Sequence, residues 1–190
     1  MDLPAAVTGE LERYFPDVVD ALERSHVLCT LSFIQRTPLA FSRDHAALGH
    51  VGGSAVVVDE AAGKVLLAHH TVLDEWFFFG NHCEGDGKAL PEVALERVRK
   101  DAGDAVAAQA VTDGKIFDVD VHYVPAHERK GESVPHHNHY DIAFLFRVSS
   151  ELKVYETARW FAYDEALRVH GLRGEPDTQF VRTMQKLMRR

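Results

Sequence analysis

Twelve histidines in 190 residues are the feature of this chain most able to do chemistry, and their placement is uneven. His69 and His70 stand side by side, and the string HHNH occupies positions 136–139. His82 lies in a glycine-rich loop, GNHCEGDG, beside Cys83 and Glu84. His122 closes the run DVDVH, His139 stands two residues before Asp141, and His50 heads HVGGSAVVVD. A neutral imidazole offers one lone pair to a metal. Two or three imidazoles with a carboxylate suit zinc, iron, nickel or copper better than magnesium, which prefers oxygen. An open coordination position on such an ion would serve Lewis-acid or water-activating chemistry. His82, His122 and His139 are the first candidate ligands, with His50 and His137 next. The competing reading is that these rings hydrogen-bond within a strand-and-loop network and hold nothing.

Other residues offer other chemistry. Cys83 neighbours His82 and Glu84, so it is a candidate nucleophile if a nearby cation lowers its pKa, and a packed inert thiol otherwise. In PEVALERVRKDAG, Arg97, Arg99 and Lys100 could fork onto a phosphate directly. Equally, Arg97 with Asp101 and Glu96 with Lys100 have the four-residue spacing of helix-surface ion pairs. Trp76, Phe77 and Phe78 could form part of a ring-stacking wall, although aromatic residues in such a run more often fill a core.

The elements that must position these groups are legible as periodicities. Phe15, Val18, Val19, Leu22, His26, Cys29 and Phe33 recur at helical spacing, with Pro16 read as opening a second helix. GGSAVVVD, a turn over Glu60–Gly63 and KVLLAHH read as a hairpin. EWFFFG reads as a strand leading into the glycine loop. Pro91 opens a helix that Gly103 stops, with Ala94, Leu95, Val98 and Ala102 on its core stripe. KIFDVDVHYV alternates, with Phe117, Val119, Val121 and Tyr123 on one face and Asp118, Asp120 and His122 on the other. PAHERKGESVP reads as a polar hairpin loop, and HYDIAFLFRV as the returning strand. That pairing would put His122, His139, Asp120 and Asp141 on one face. ARWFAYDEAL then gives a strand running into a helix, and TQFVRTMQKLMRR a closing amphipathic helix. The fold class is α/β, a mixed sheet with helices on both sides.

Composition narrows the partners. A formal net charge of −8 argues against sequence-independent nucleic-acid binding, which needs a basic surface. The longest apolar run near the start, Val27–Ile34, is too short to span a membrane and lacks a signal-peptide layout. Cys29 and Cys83 make no metal or disulfide framework. A reducing, cytoplasmic location is expected.

In order along the chain, GHVGGSAVVV, KVLLAHH, W-x3-GNHCEGDG, the Val93–Gly103 helix, FDVDVHYVPA, HHNHYDIAFLF and ARWF resemble the Nudix hydrolase superfamily, and more closely a histidine-rich subgroup of it. The resemblance runs from about Phe41 to Phe161. It implies a Nudix α/β/α sandwich over residues 41–190, preceded by an N-terminal helical extension over 1–40 packed on it, in one domain overall. It also implies a small phosphorylated or nucleotide-like substrate, and a tendency to dimerise.

The family's box, G-x5-E-x7-R-E-U-x-E-E-x-G-U, uses glutamates to hold divalent ions on a diphosphate. Anchored on Gly103, its R-E-U-x-E-E positions fall on Glu96, Arg97, Val98, Arg99, Lys100 and Asp101, and only Val98 and Asp101 keep the expected character. The midloop glutamate position falls near Gly87, and Phe79 replaces the usual proline. Protonated lysine or arginine has no lone pair for a metal and repels a divalent ion. The magnesium box therefore reads as degenerate. Three readings stay open: an atypical enzyme with a histidine-rich metal site, a silent ligand-binding or regulatory module, and a residual single-ion hydrolase. Glu84, Asp101 and Cys83 are the catalytic candidates, and Arg97, Lys100, Trp76 and Phe78 the substrate-binding ones.

Overall fold

The computed structural model describes residues 2–43, 49–71, 73–129, 131–170 and 178–190. The chain opens with helix α1 (Leu3–Tyr14), whose first turn contains Pro4 and is capped by Asp2, its carboxylate accepting from the Ala5 amide at 3.2 Å. Pro16 does not open the next helix. It sits in a 3₁₀ turn, Phe15–Asp17, and helix α2 (Ala21–Arg36) starts after Asp20, whose side chain accepts from the Glu23 amide at 2.9 Å. That interruption breaks the phase of the apolar pattern read from Phe15 to Phe33. The buried positions are Leu3, Val7 and Leu11 in α1 and Glu23, Val27, Thr30, Phe33 and Ile34 in α2, while Val19 is 94% exposed and Cys29 is exposed.

The strands follow as β1 (His50–Asp59), β2 (Lys64–His70), β3 (Glu75–Phe77) and β4 (Phe79–His82). Next come α3 (Leu90–Ala102), α4 (Asp104–Gln109), β5 (Ile116–Val124) and a short hairpin, β6 (His127–Arg129) with β7 (Glu132–Val134). Then come β8 (His137–Arg147), β9 (Ala158–Ala162), α5 (Tyr163–Val169) and α6 (Thr178–Met188). EWFFFG is thus two short strands. The polar loop after β5 carries a two-stranded sheet of its own, and the main sheet runs β3-β2-β1-β8-β5, with β4 on β1 and β9 on β2. No described helix is long and apolar enough to cross a membrane.

By internal contacts the chain forms two compact units: Met1–Ser54, Gly80–Ala94 and Lys115–Phe144, and Ala55–Phe79, Leu95–Gly114 and Leu145–Arg190. In the second, β2 lies antiparallel to β1 (Val57↔Leu66) and to β9 (Leu66↔Trp160), and Val65, Leu66 and Leu67 are fully buried. A strand with neighbours on both sides and cover on its faces reads as a continuous apolar run, as VLLA does. Helix α3 ends at Gly103, whose φ of +114° lies in the region only glycine enters freely. Val98 and Ala102 are buried as expected, but Leu95 is only half-buried, and Leu90 and Val93 complete the stripe.

In the first unit, β5 pairs antiparallel with β8 in the register Asp120↔Asp141, His122↔His139 and Val124↔His137. Helix α2 packs on β5 and keeps part of that strand's polar face from solvent: Asp118 is 0% exposed and Asp120 3%. His122 on the same face is exposed, as is Tyr123 from the face read as apolar.

Candidate functional site

Residues directly opposite on antiparallel strands share a face, and so do residues two apart on one strand. The β5–β8 register therefore gathers His122, His137, His139, Asp120 and Asp141 on one side of the pair. His50 at the head of β1 and His82 at the end of β4 complete the group. His139 is at its centre: its ring centroid lies 4.6 Å from His50, 5.0 Å from His82, 5.2 Å from His122 and 5.0 Å from His137. The structure thus brings together all the histidines singled out as ligands.

Within the group, ligand atoms of His50, His137 and His139 lie within 4.8 Å of one another, and so do those of His122, His139 and Asp141. The first set is the deeper, with His50 3% and His137 6% exposed. His137 Nδ1 lies 2.8 Å from the Pro135 carbonyl, which can only accept, so Nδ1 carries the proton and Nε2 the lone pair. That Nε2 is 3.2 Å from His139 Nε2. Two imidazole nitrogens each about 2.0–2.1 Å from one tetrahedral ion lie about 3.3 Å apart. His82 belongs to neither triad and meets the His50 and His139 rings edge-on.

Burial, followed by the neighbouring His82, His50, His122 and His137, drives the His139 pKa down to about 2. The ring is therefore neutral at any physiological pH, which is the ligating form. Cys83 behaves in the opposite sense. Burial, with Asp86, Glu84 and Asp141 nearby, pushes its thiol up to about 12, so it is protonated at neutral pH and lacks the thiolate that a nucleophile needs. The Glu84 side chain is 62% exposed, with Arg43 Nη1 3.6 Å from its carboxylate.

The approach of β1 to this group depends on Gly52. A Cβ there would stand 2.7 Å from Asp141 Oδ1 and 2.9 Å from the Asn81 carbonyl. Behind His122, Asp120 Oδ2 lies 3.2 Å from His122 Nδ1, and Asp120 Oδ1 lies 3.0 Å from His26 Nδ1 of α2. The sequence pattern marks His26 only as one position of a helical stripe. An aspartate two residues before a strand histidine was the available signal, but nothing local links it to a helix so distant in sequence.

This geometry sits on a fold with known counterparts. Residues covering 74% of this chain superpose on 96% of the E. coli dihydroneopterin triphosphate pyrophosphohydrolase, with a TM-score of 0.54 and 13% identity. This is the Nudix hydrolase fold. Looser similarity extends to a NUDIX-family hydrolase from Clostridium perfringens (15% identity, 73% of this chain and 96% of that one, TM-score 0.47). A C. elegans Ap4A hydrolase is similar at the same level (12% identity, 73% and 95%, TM-score 0.48). No family model and no curated protein matches the sequence.

The remaining candidates belong to the second unit. Arg97 Nε donates to Asp101 Oδ2 within α3, the Asp101 carbonyl accepts from Thr157 Oγ1 at 2.6 Å, and Lys100 is exposed. Trp76 meets the Phe161 ring edge-on at 5.0 Å, and Phe78 stacks on Phe180 at 4.7 Å. These contacts make both aromatic residues part of that unit's packing.

Proposed function

We propose that this chain is a metal-dependent hydrolase of a phosphoanhydride bond in a small, nucleotide-like metabolite, with its ion held by the histidine cluster rather than by helix α3. The observation that carries the reading is the 3.2 Å approach of the His137 and His139 Nε2 atoms, with His50 within ligand range of both. Their donor set is all nitrogen, which fits zinc, nickel, copper or iron. The α3 positions fit magnesium poorly, because Arg97 pairs with the Asp101 carboxylate and cations, Arg99 and Lys100, stand at two further box positions. A bound ion would supply Lewis-acid polarisation of a phosphoryl oxygen. Around it, His50 and His137 hold position from buried strand ends, His139 stays neutral, and Asp141 supplies a negative charge on the open side.

The substrate class rests on fold analogy, since the E. coli protein of this fold is a pyrophosphohydrolase. The test is turnover of a panel of nucleoside diphosphate derivatives by the full chain, with and without chelator and with His139→Ala. Hydrolysis that zinc or nickel restores after chelation, and that His139→Ala loses, supports the proposal. Strong magnesium-dependent hydrolysis that survives His139→Ala but is lost in Asp101→Asn would return the chemistry to helix α3. Nucleotide binding without turnover in any metal would make the chain a ligand-binding module.

A further inference from the structure

Resting on that reading of the cluster, we infer that Asp120 and His26 are positioning residues for His122, a ligand in the second set it forms with His139 and Asp141, so that helix α2 takes part in building the site. Asp120 is 3% exposed and stands opposite a second carboxylate, Asp141, in the β5–β8 ladder. A buried carboxylate is costly unless hydrogen-bonded, and like charges directly opposite on paired strands repel. Asp120 Oδ2 is hydrogen-bonded to His122 Nδ1 at 3.2 Å, and Oδ1 lies 3.0 Å from His26 Nδ1.

A carboxylate only accepts, so the His122 proton is on Nδ1 and its lone pair on Nε2. Asp120 is the nearer carboxylate to this Nδ1, with Asp141 Oδ2 at 3.9 Å. His26 Nδ1 also lies 3.2 Å from the Val121 amide, which asks for a lone pair where Asp120 asks for a proton. The amide can only donate, so Nδ1 accepts from Val121, and His26 fixes β5 between Asp120 and His122 rather than donating to the carboxylate.

The helix is held for this task one turn earlier. Glu23 Oε1 accepts from the Val119 amide at 3.2 Å and from the Tyr14 hydroxyl at 2.5 Å, and Tyr14 also reaches the Phe117 carbonyl at 2.9 Å. Residues three apart share a helix face, so fixing Glu23 on the Val119 amide delivers His26 to the Val121 amide, beside Asp120. Buried polar chains of this kind contribute little net stability. Orienting a ligand histidine through a carboxylate is a use that does repay them.

Two measurements on the full chain test this. In chelator-treated protein at pH 8, long-range 1H–15N NMR should show His122 as the Nδ1–H tautomer; the Nε2–H tautomer overturns the inference and needs no variant. Zinc affinity by chelator competition should then fall about 10–100-fold in Asp120→Ala, the usual effect of losing such a partner. Adding Asp120→Ala to His122→Ala should cost nothing further. If the two losses instead add, or Asp120→Ala binds zinc like the wild type, Asp120 is structural and the positioning role falls alone. If the wild type binds no transition metal, the reading of the cluster falls and takes this inference with it.

Discussion

His137 and His139, two residues apart on β8, turn their Nε2 atoms toward each other at 3.2 Å while the Pro135 carbonyl holds the far nitrogen of His137. Without an ion this contact is an N–H···N hydrogen bond donated by His139. With one, both nitrogens present lone pairs at the separation of two ligands on a single centre.

His139 is common to both triads. His139→Ala should reduce zinc or nickel affinity by at least about 100-fold, the upper end of what outer-layer changes produce. His82→Ala, which removes a ring outside both triads, should reduce it far less. Isothermal titration of chelator-treated protein separates the two, and equal losses would contradict the assignment of ligands.

The His139 ring also predicts a pH dependence of the metal-free protein. Its folded pKa is depressed from 6.5 to about 2, so below pH 6.5 the unfolded chain binds a proton that the folded chain refuses. Stability is full above about pH 6.5 and declines continuously toward pH 2, by about 2 kcal/mol at pH 5 from this ring alone. Urea unfolding at pH 7.5 and pH 5 should show that loss, and His139→Asn should shrink it. An unchanged slope in the variant would show that the ring titrates normally.

Cysteine chemistry distinguishes the two thiols. Cys29 is exposed, whereas Cys83 is buried with its pKa pushed up to about 12. Iodoacetamide at pH 8 should label Cys29 and leave Cys83 unmodified in native protein, read by peptide mass spectrometry. Cys83→Ser should retain any hydrolytic activity, and its complete loss would restore a nucleophilic role.

Gly52 is required by close approach, not by backbone conformation. Gly52→Ala would force a methyl group against Asp141 Oδ1 and the Asn81 carbonyl, destabilising the fold by about 1–3 kcal/mol, as over-packing does. Thermal melting should record a lower Tm together with weakened metal binding. A neutral substitution would mean that β1 can move away from β8 there.

Much of this arrangement was legible because it depends on local pattern. The β1–β2 hairpin follows from two apolar runs around a turn where Asp59 Oδ1 accepts from the Ala62 amide at 3.0 Å. The pairing of His122 with His139 follows from two alternating strands on either side of a polar loop. What escaped was set by distant packing. Nothing local marks Asp118 and Asp120 as buried, because the cover comes from α2, far away in sequence. The inner face of α2 itself carries Glu23 and Thr30, polar residues that an apolar-period search reads as the outside. Trp76 and Phe78 looked equally suited to a ligand wall, and only their contacts with Phe161 and Phe180 give them a packing role.

The central claim is tested most directly by elemental analysis of the full chain purified without chelator, alongside His139→Ala. The account predicts about one equivalent of zinc, nickel, copper or iron per chain in the wild type and almost none in the variant, whose fold is retained by circular dichroism. A wild type free of transition metal, and unable to take up zinc when it is offered, would contradict it.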